Sequence, residues 1–399
     1  MTPTRRALVT TLALTAALTT APATTAQAAD TPQHPWYFDT YRIDEVWEHT
    51  TGEGITVAVI DTGVDPTLPE LQGQVLDGTD LTAAPQGAHV DTDGHGTDMA
   101  ALIAGTGNGG VQGLAPGATI LPIRVTYGGI TGDAADRWAE AVHYAIESGA
   151  RIINFSLGDV NVESARQEMS EALTAAARHD VLIFAATGNN GDDLNAPSAP
   201  NSLDGVVGVS AVNSSGERAP YSTYGPQVSL AAPGDDVPGH CGDISGPACI
   251  RDEGGTSSAT ALASASAALI WAQHPDWTKN QVLRVMLNTA ERPDDQRRDD
   301  YTGYGIVRPD RVVLDGEGDP GDPDSPPIFR DWEAELRPPA TPEPTPETSP
   351  SPDAETTPAP DAEPAATSDD ASPLPWLLGG GAAVLVAGSV GWLLWRRRA

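Results

Sequence analysis

Between residues 55 and 290, short and continuously apolar runs alternate with longer segments of mixed polarity. The runs 55–60, 120–125, 151–155, 181–186 and 206–212 are too short and too uniformly apolar for amphipathic helices, and they predict strands buried on both faces. Segments 95–104, 133–148, 163–179, 257–273 and 279–290 predict helices between and after them. Strand and helix in alternation predict an α/β domain, a doubly wound parallel sheet with helices on both faces. The functional site of such a sheet lies beyond the carboxyl ends of its strands. No internal repeat is apparent, so a solenoid is not indicated.

The two ends have different patterns. Arg5 and Arg6 precede an apolar run from residue 7 to about 18 and small residues ending Ala26-Gln27-Ala28, the form of an export signal (1–28) cleaved near Ala28. The arginine pair leaves the twin-arginine route open beside the general secretory route. At the other end, residues 376–395 carry no charge, are long enough to cross a bilayer as a helix, and run into Arg396-Arg397-Arg398. Positive residues stay cytoplasmic, so a membrane anchor here leaves residues 396–399 as a cytoplasmic tail and the bulk of the chain outside. A buried core helix is the alternative. Residues 316–375 are rich in proline and acidic side chains and predict a disordered, extended linker. Its less polar island, 328–336 with Trp332, could dock on another surface, a solvated linker being the preferred reading.

The chain has 22 Lys and Arg against 55 Asp and Glu, a net charge of −33, which repels nucleic acid and excludes it as a partner. Cys241 and Cys249 are the only cysteines. In an exported protein such a pair in a Gly/Pro-rich loop predicts one disulfide, two free thiols being the alternative. Two cysteines make no metal site, and no dense cluster of metal ligands occurs elsewhere, so neither metal nor cofactor is expected. Asp192 and Asp193 leave a structural calcium undecided, solvated charge being the simpler reading.

Four motifs carry candidate chemistry. The strand 55–60 ends in Asp61-Thr62-Gly63, a carboxylate where a buried strand emerges. Asp93-Gly94-His95-Gly96-Thr97 sets an imidazole at the start of a small-residue helix, where a group of near-neutral pKa can pass a proton between nucleophile and leaving group. Gly254-Gly255-Thr256-Ser257 sets a hydroxyl at a helix N-terminus, whose unpaired N–H groups favour an attacking oxygen and its oxyanion. Ala185-Ala186-Thr187-Gly188-Asn189 ends a buried run in an amide that could donate to the same oxyanion. Each alone fits a bland role: a structural carboxylate, a core histidine, a Ser N-cap, a turn asparagine. An Asp, a His and a Ser in this chain order, each in its matching flank, occur together by accident far less often.

On those motifs, with Gly255-Thr256-Ser257-Ser258-Ala259 as the third signature, the chain from about 54 to 313 resembles the subtilases, subtilisin-like serine proteases. The resemblance implies a catalytic domain at 54–315, with Ser257 as nucleophile, His95 as general base and then acid, Asp61 as the orienting carboxylate and Asn189 as oxyanion donor. It also implies that Ser156-Leu157-Gly158 and Ala186-Thr187-Gly188 pair with an extended protein or peptide substrate and flank its main specificity pocket. Within the family the chain is similar to the mycosins of type VII secretion, through its export signal, Pro-rich stalk and C-terminal apolar segment and through the phrases Gly113-Leu114-Ala115-Pro116-Gly117-Ala118 and Gly303-Tyr304-Gly305-Ile306-Val307. Residues 29–53 leave no room for a folded propeptide and are expected to wrap the domain as an N-terminal extension. Two departures, Ser258 after the nucleophile and Ala261 where subtilases commonly place a proline, predict lowered rather than abolished activity.

The expectation is therefore a membrane-anchored extracytoplasmic serine endopeptidase acting on exported proteins, with a type VII membrane complex as a possible partner. Its rival is a structural scaffold subunit of a membrane secretion complex in which catalysis is secondary or reduced.

Overall fold

A computed structural model describes residues 34–126, 134–158, 160–242, 244, 246–292 and 297–336. The expected export signal (1–28), most of the expected linker, the apolar span 376–395 and the basic tail lie outside the described residues. Among the described residues no helix is long and apolar enough to cross a membrane.

The centre is a parallel sheet. Its strands are β1 (Thr56–Asp61), β2 (Thr79–Asp80), β3 (Thr119–Arg124), β4 (Ile152–Phe155), β5 (Leu182–Ala186), β6 (Val206–Val212) and β7 (Val228–Pro233), in the order β2-β3-β1-β4-β5-β6-β7. The continuous apolar runs follow from burial on both sides. In β1, Val57 and Val59 point into one core layer, while Ala58 and Ile60 point into the other. At roughly 1.5–3 kcal/mol for each fully buried Val or Ile side chain, such a strand is strongly held in register.

One face is covered by α3 (His95–Ala104) and α6 (Thr256–Gln273), after two short N-terminal helices, α1 (Trp36–Thr40) and α2 (Ile43–Trp47). The other is covered by α4 (Ala134–Glu147) and α5 (Val162–Arg178). Helix α5 buries Ala165, Met169, Ala172, Leu173 and Ala176, one stripe at helical spacing, and Asn161 caps it by accepting from the N–H groups of Glu163 and Ser164. Helix α6 is different: residues 258–271 are buried all round. Its alanines and serines let the sheet approach from one side and α3 from the other. Helix α7 (Lys279–Thr289) starts with a reciprocal Thr278–Gln281 capping box, and α8 (Pro309–Val313) follows.

The five expected strands and five expected helices are present with shifts at their ends. The two-residue β2 is too short to leave a pattern, and β7 ends in Pro233, as an edge strand can. A separate antiparallel hairpin, β8 (Asp235–His240) and β9 (Ala248–Glu253), breaks the expected β-α alternation. Cys241 and Cys249 are joined by a disulfide at the loop end of this hairpin, with Cα atoms 5.9 Å apart. Residues 36–47 lie on the domain, with the rings of Tyr37 and Tyr41 fully buried in the α3–α6 layer.

The linker expected from residue 316 is corrected over its first part. Residues 316–336 are packed on the domain and end in α9 (Arg330–Leu336). The Arg284 guanidinium donates to the carbonyls of Pro320, Asp322 and Ser325, and Lys279 Nζ donates to Glu333 at 2.6 Å. Ile328 and Phe329 join one core layer and Trp332 the other. Gly205 makes room for Trp332, since a Cβ there would lie 2.7 Å from the indole. Proline and acid content read as solvated chain, but three apolar anchors and a row of carbonyls facing one arginine suffice to dock it. We expect Trp332→Ala to lower stability by about 1–2 kcal/mol, less than for a fully buried tryptophan because this ring is partly exposed. The measurement is the urea midpoint, which would stay unchanged if the segment were not docked.

Candidate active site

The parallel register brings the first two motifs to one rim. Ile60 pairs with Phe155, so Asp61 and Ser156 follow side by side at the carboxyl ends of β1 and β4, one strand spacing of about 4.8 Å apart. Asp61 is fully buried. Its Oδ1 accepts from the Thr62 N–H at 2.8 Å and lies 2.7 Å from His95 Nδ1.

His95 opens α3, and two glycines explain how it comes so close. A Cβ on Gly96 would lie 2.2 Å from the Gly63 carbonyl and 3.0 Å from Asp61 Cβ, so only glycine lets the first turn press on the end of β1. Gly94 takes the left-handed conformation (φ 91°) that turns the chain into the helix. Asp91 fixes this turn, its carboxylate accepting from the N–H groups of Asp93, Gly94 and Thr97 and from the Thr97 hydroxyl. Burial disfavours the charged His95 ring, yet the Asp61 charge and hydrogen bond, with Asp93 and Asp98 further off, outweigh it and push the pKa up to about 9. The imidazole side chain stays 32% exposed, open to a substrate on its far side.

Ser257 is the second residue of α6 and the accessible exception in an otherwise enclosed segment. It is clasped to Ser156: Ser257 Oγ donates to the Ser156 carbonyl at 3.0 Å, and Ser156 Oγ donates to the Ser257 carbonyl at 3.0 Å. Buried Asn154 and Ser264 extend the clasp, Ser264 Oγ donating to Asn154 Oδ1 and Asn154 Nδ2 to Ser156 Oγ, each at 3.0 Å. The structure thus joins Asp61 to His95 and holds Ser257 on the neighbouring strand tip, its hydroxyl bonded to Ser156. Catalytic hydrogen bonds commonly close only when substrate is bound.

Asn189 is oriented by its acceptor atom. Its Oδ1 takes the Thr256 N–H at 3.0 Å and the Thr256 hydroxyl at 2.9 Å, and Thr256 Oγ1 in turn accepts from the Gly188 N–H at 3.1 Å. With the carbonyl end engaged, the exposed amide presents Nδ2 as a donor beside the N-terminus of α6. Ser156-Leu157-Gly158 and Ala186-Thr187-Gly188 leave the adjacent strands β4 and β5 as two neighbouring edges. Asn201 Nδ2 holds the Ala186 carbonyl at 3.0 Å. Of the two departures, Ala261 is fully buried inside an unbroken α6, and Ser258 Oγ is buried without a hydrogen-bond partner among the described residues. Asp192 and Asp193 are exposed.

Motif reading missed a second cluster beside this one. His240, at the end of β8, is sandwiched between two carboxylates, with Nδ1 2.6 Å from Asp98 and Nε2 2.8 Å from Glu70. Arg251 Nη1 donates to the other oxygen of Asp98 at 2.7 Å. No periodic signal marks these residues, and Asp98 alone reads as an ordinary acid in the first turn of a helix.

The sequence profile described as the Subtilase family matches residues 52–305. The cell wall-associated protease of Bacillus subtilis (strain 168) is 34% identical over 269 residues, which are 66% of this chain and 28% of that protein. Among solved structures, MycP1 from the ESX-1 type VII secretion system is similar with a TM-score of 0.65 and 26% identity, covering 76% of this chain and 90% of the other. A chain of the periplasmic assembly from the ESX-5 inner membrane complex is similar with a TM-score of 0.62 and 29% identity, covering 74% and 88%.

The two raised imidazoles set a pH window for stability. His95 and His240 are both held up to about 9 against an ordinary 6.5, so each binds its proton more tightly when folded. Their contribution is complete below about pH 6.5 and is lost as pH rises through about 9. Urea unfolding across that interval should show a falling midpoint, with a shallower fall in His240→Gln. A wild-type midpoint that is flat there would contradict the assignment.

Proposed function

Because the chain belongs to the subtilase family, we propose that it is a membrane-anchored extracytoplasmic serine endopeptidase, cleaving exported proteins through an acyl-enzyme in association with a type VII secretion complex. The observation that carries the protease reading is the buried Asp61–His95 hydrogen bond at the end of β1, beside the β4 tip where Ser156 clasps Ser257. The likeness to MycP1 and the apolar, charge-free segment 376–395 support the setting.

In this reading Asp61 accepts from Nδ1–H of His95, which leaves Nε2 as the basic nitrogen of the neutral ring. Substrate lies extended against residues 156–158 and 186–188. The Ser257 hydroxyl turns from the Ser156 carbonyl to Nε2, gives up its proton and attacks the scissile carbonyl carbon. The oxyanion is met by Asn189 Nδ2 and by the Ser257 N–H, one of the first N–H groups of α6 that have no partner within the helix. His95 then protonates the leaving amine, and water, deprotonated by the same ring, hydrolyses the ester.

A second reading is favoured by the likeness to a chain of the ESX-5 periplasmic assembly: a structural subunit of a membrane complex, whose role would survive loss of the nucleophile.

Ser257→Ala should lower kcat on peptide substrates on the order of a million-fold, as loss of the nucleophile does in subtilisin, and abolish labelling by a fluorophosphonate. Equal turnover by the variant and the wild type would sink the protease reading, whereas secretion restored by the Ser257→Ala chain would favour the structural one. Because His95 must be neutral to act as base, kcat/KM should climb as pH is raised towards about 9. A pH-independent rate between 6 and 9 would contradict His95 as the titrating base.

A further inference from the structure

The cluster around His240 is built for charge. Glu70, Asp98 and His240 are each more than nine-tenths buried. Two carboxylates face one imidazole and one guanidinium, so the group is neutral when His240 carries its proton. Buried charges persist only when paired and hydrogen-bonded, and here nearly every oxygen is engaged. Glu70 lies over Gly110, where any Cβ would strike its carboxylate, and accepts from the Val111 N–H at 3.3 Å. The His240 N–H also bonds Asp98 Oδ1 at 3.2 Å.

Position gives this neutrality a purpose. Asp98 stands three residues after His95 on α3, one turn away, where side chains are near neighbours. Asp98 adds its field to those of Asp61 and Asp93 that hold the proton on His95, and without its two cationic partners it would hold that proton more strongly. The hairpin that supplies His240 and Arg251 touches the same turn again, with Ile244 Cβ 3.6 Å from the position of a Cβ on Gly94. Its connecting loop is stapled by the Cys241–Cys249 disulfide.

We propose that His240 and Arg251 are positioning residues for the reaction: from the β8–β9 hairpin they neutralise Asp98 and thereby set the proton affinity of His95 while fixing the first turn of α3. His240 does not touch substrate; it acts through Asp98. The charged groups facing His95 are Asp61 from β1, Asp93 from the preceding turn and Asp98 from its own helix, with Asp91 capping that helix. Those facing His240 are Asp98 from α3 and Glu70 from the 3-10 turn Pro69–Leu71, with Arg251 from β9 on the far side of Asp98. The two carboxylates keep His240 protonated to about 9, so the compensation holds across neutral pH.

The inference rests on His95 being the base of the proposed protease, and its test does not need turnover. In histidine-labelled protein, the His95 ring resonance, assigned by its loss in His95→Ala, is titrated by NMR. Arg251→Met, which uncovers Asp98, should move the His95 midpoint up, and Asp98→Asn should move it down, each on the order of half a pH unit. Should Asp98→Asn not fold, the double variant Asp98→Asn/His240→Gln removes one charge of each sign and should stay near the wild-type midpoint. Arg251→Met then carries the test, its guanidinium being 30% exposed and the less disruptive to replace. A merely structural cluster would change the melting temperature and leave the midpoints where they are. Midpoints that are unmoved, or that shift the same way in Arg251→Met and Asp98→Asn, overturn the proposal. Failure of fluorophosphonate to label wild-type Ser257 would instead overturn the protease reading, and the titration would still report whether the cluster tunes His95.

Discussion

The structure depends on a helix with no outside. Helix α6 is enclosed from residue 258 to 271, pressed between the sheet and α3, so its composition is confined to small and apolar side chains. A helix without a polar face can meet solvent only at its ends. Its N-terminal end is therefore where reactivity can be exposed, and Ser257 occupies that end. The same enclosure fixes the hydroxyl's height relative to the strand tips. Ser264 and Asn154 transmit the register of β4 to the first turn of the helix through buried hydrogen bonds. Asp61 reaches the same rim because parallel pairing sets β1 beside β4.

Much of this was legible in the chain. The five principal strands could be read because burial on both faces demands uninterrupted apolar runs, and α5 because its stripe is regular. The candidate site stood out because Gly63, Gly96 and Gly255 stand where backbones must approach closely or turn left-handed, and those glycines flank Asp61, His95 and Ser257. What escaped has a common cause. Strand β2 and the β8–β9 hairpin are held by pairing between distant residues, and His240 meets Asp98 across 142 positions. Such encounters leave no local pattern. Residues 316–336 misled for the opposite reason, since their local composition is that of unfolded chain while their few anchors find partners on α7 and beside β6.

Charge runs through both halves of the molecule's behaviour. An imidazole pressed between acids holds its proton strongly, which favours the folded state at neutral pH and hinders a base that must be deprotonated to act. Stability and reactivity therefore pull toward opposite ends of the alkaline range. The excess of acidic residues makes the balance sensitive, because each uncompensated carboxylate near the rim biases the same proton.

The docked segment has a mechanical consequence. Trp332 and the chain around it grip the domain beside Gly205 and Leu182, at the amino ends of β6 and β5, whereas Asp61, Ser156 and Ala186 stand at the carboxyl ends of a parallel sheet. Tension arriving along the polypeptide from beyond Leu336 would be taken up first by Arg178 on the Leu336 carbonyl, by Lys279 on Glu333 and by the indole, with the Arg284 fork behind them. The grip works as a cable clamp, so that a pull on the chain beyond it is borne at the amino ends of the strands and the far side of the sheet keeps its geometry.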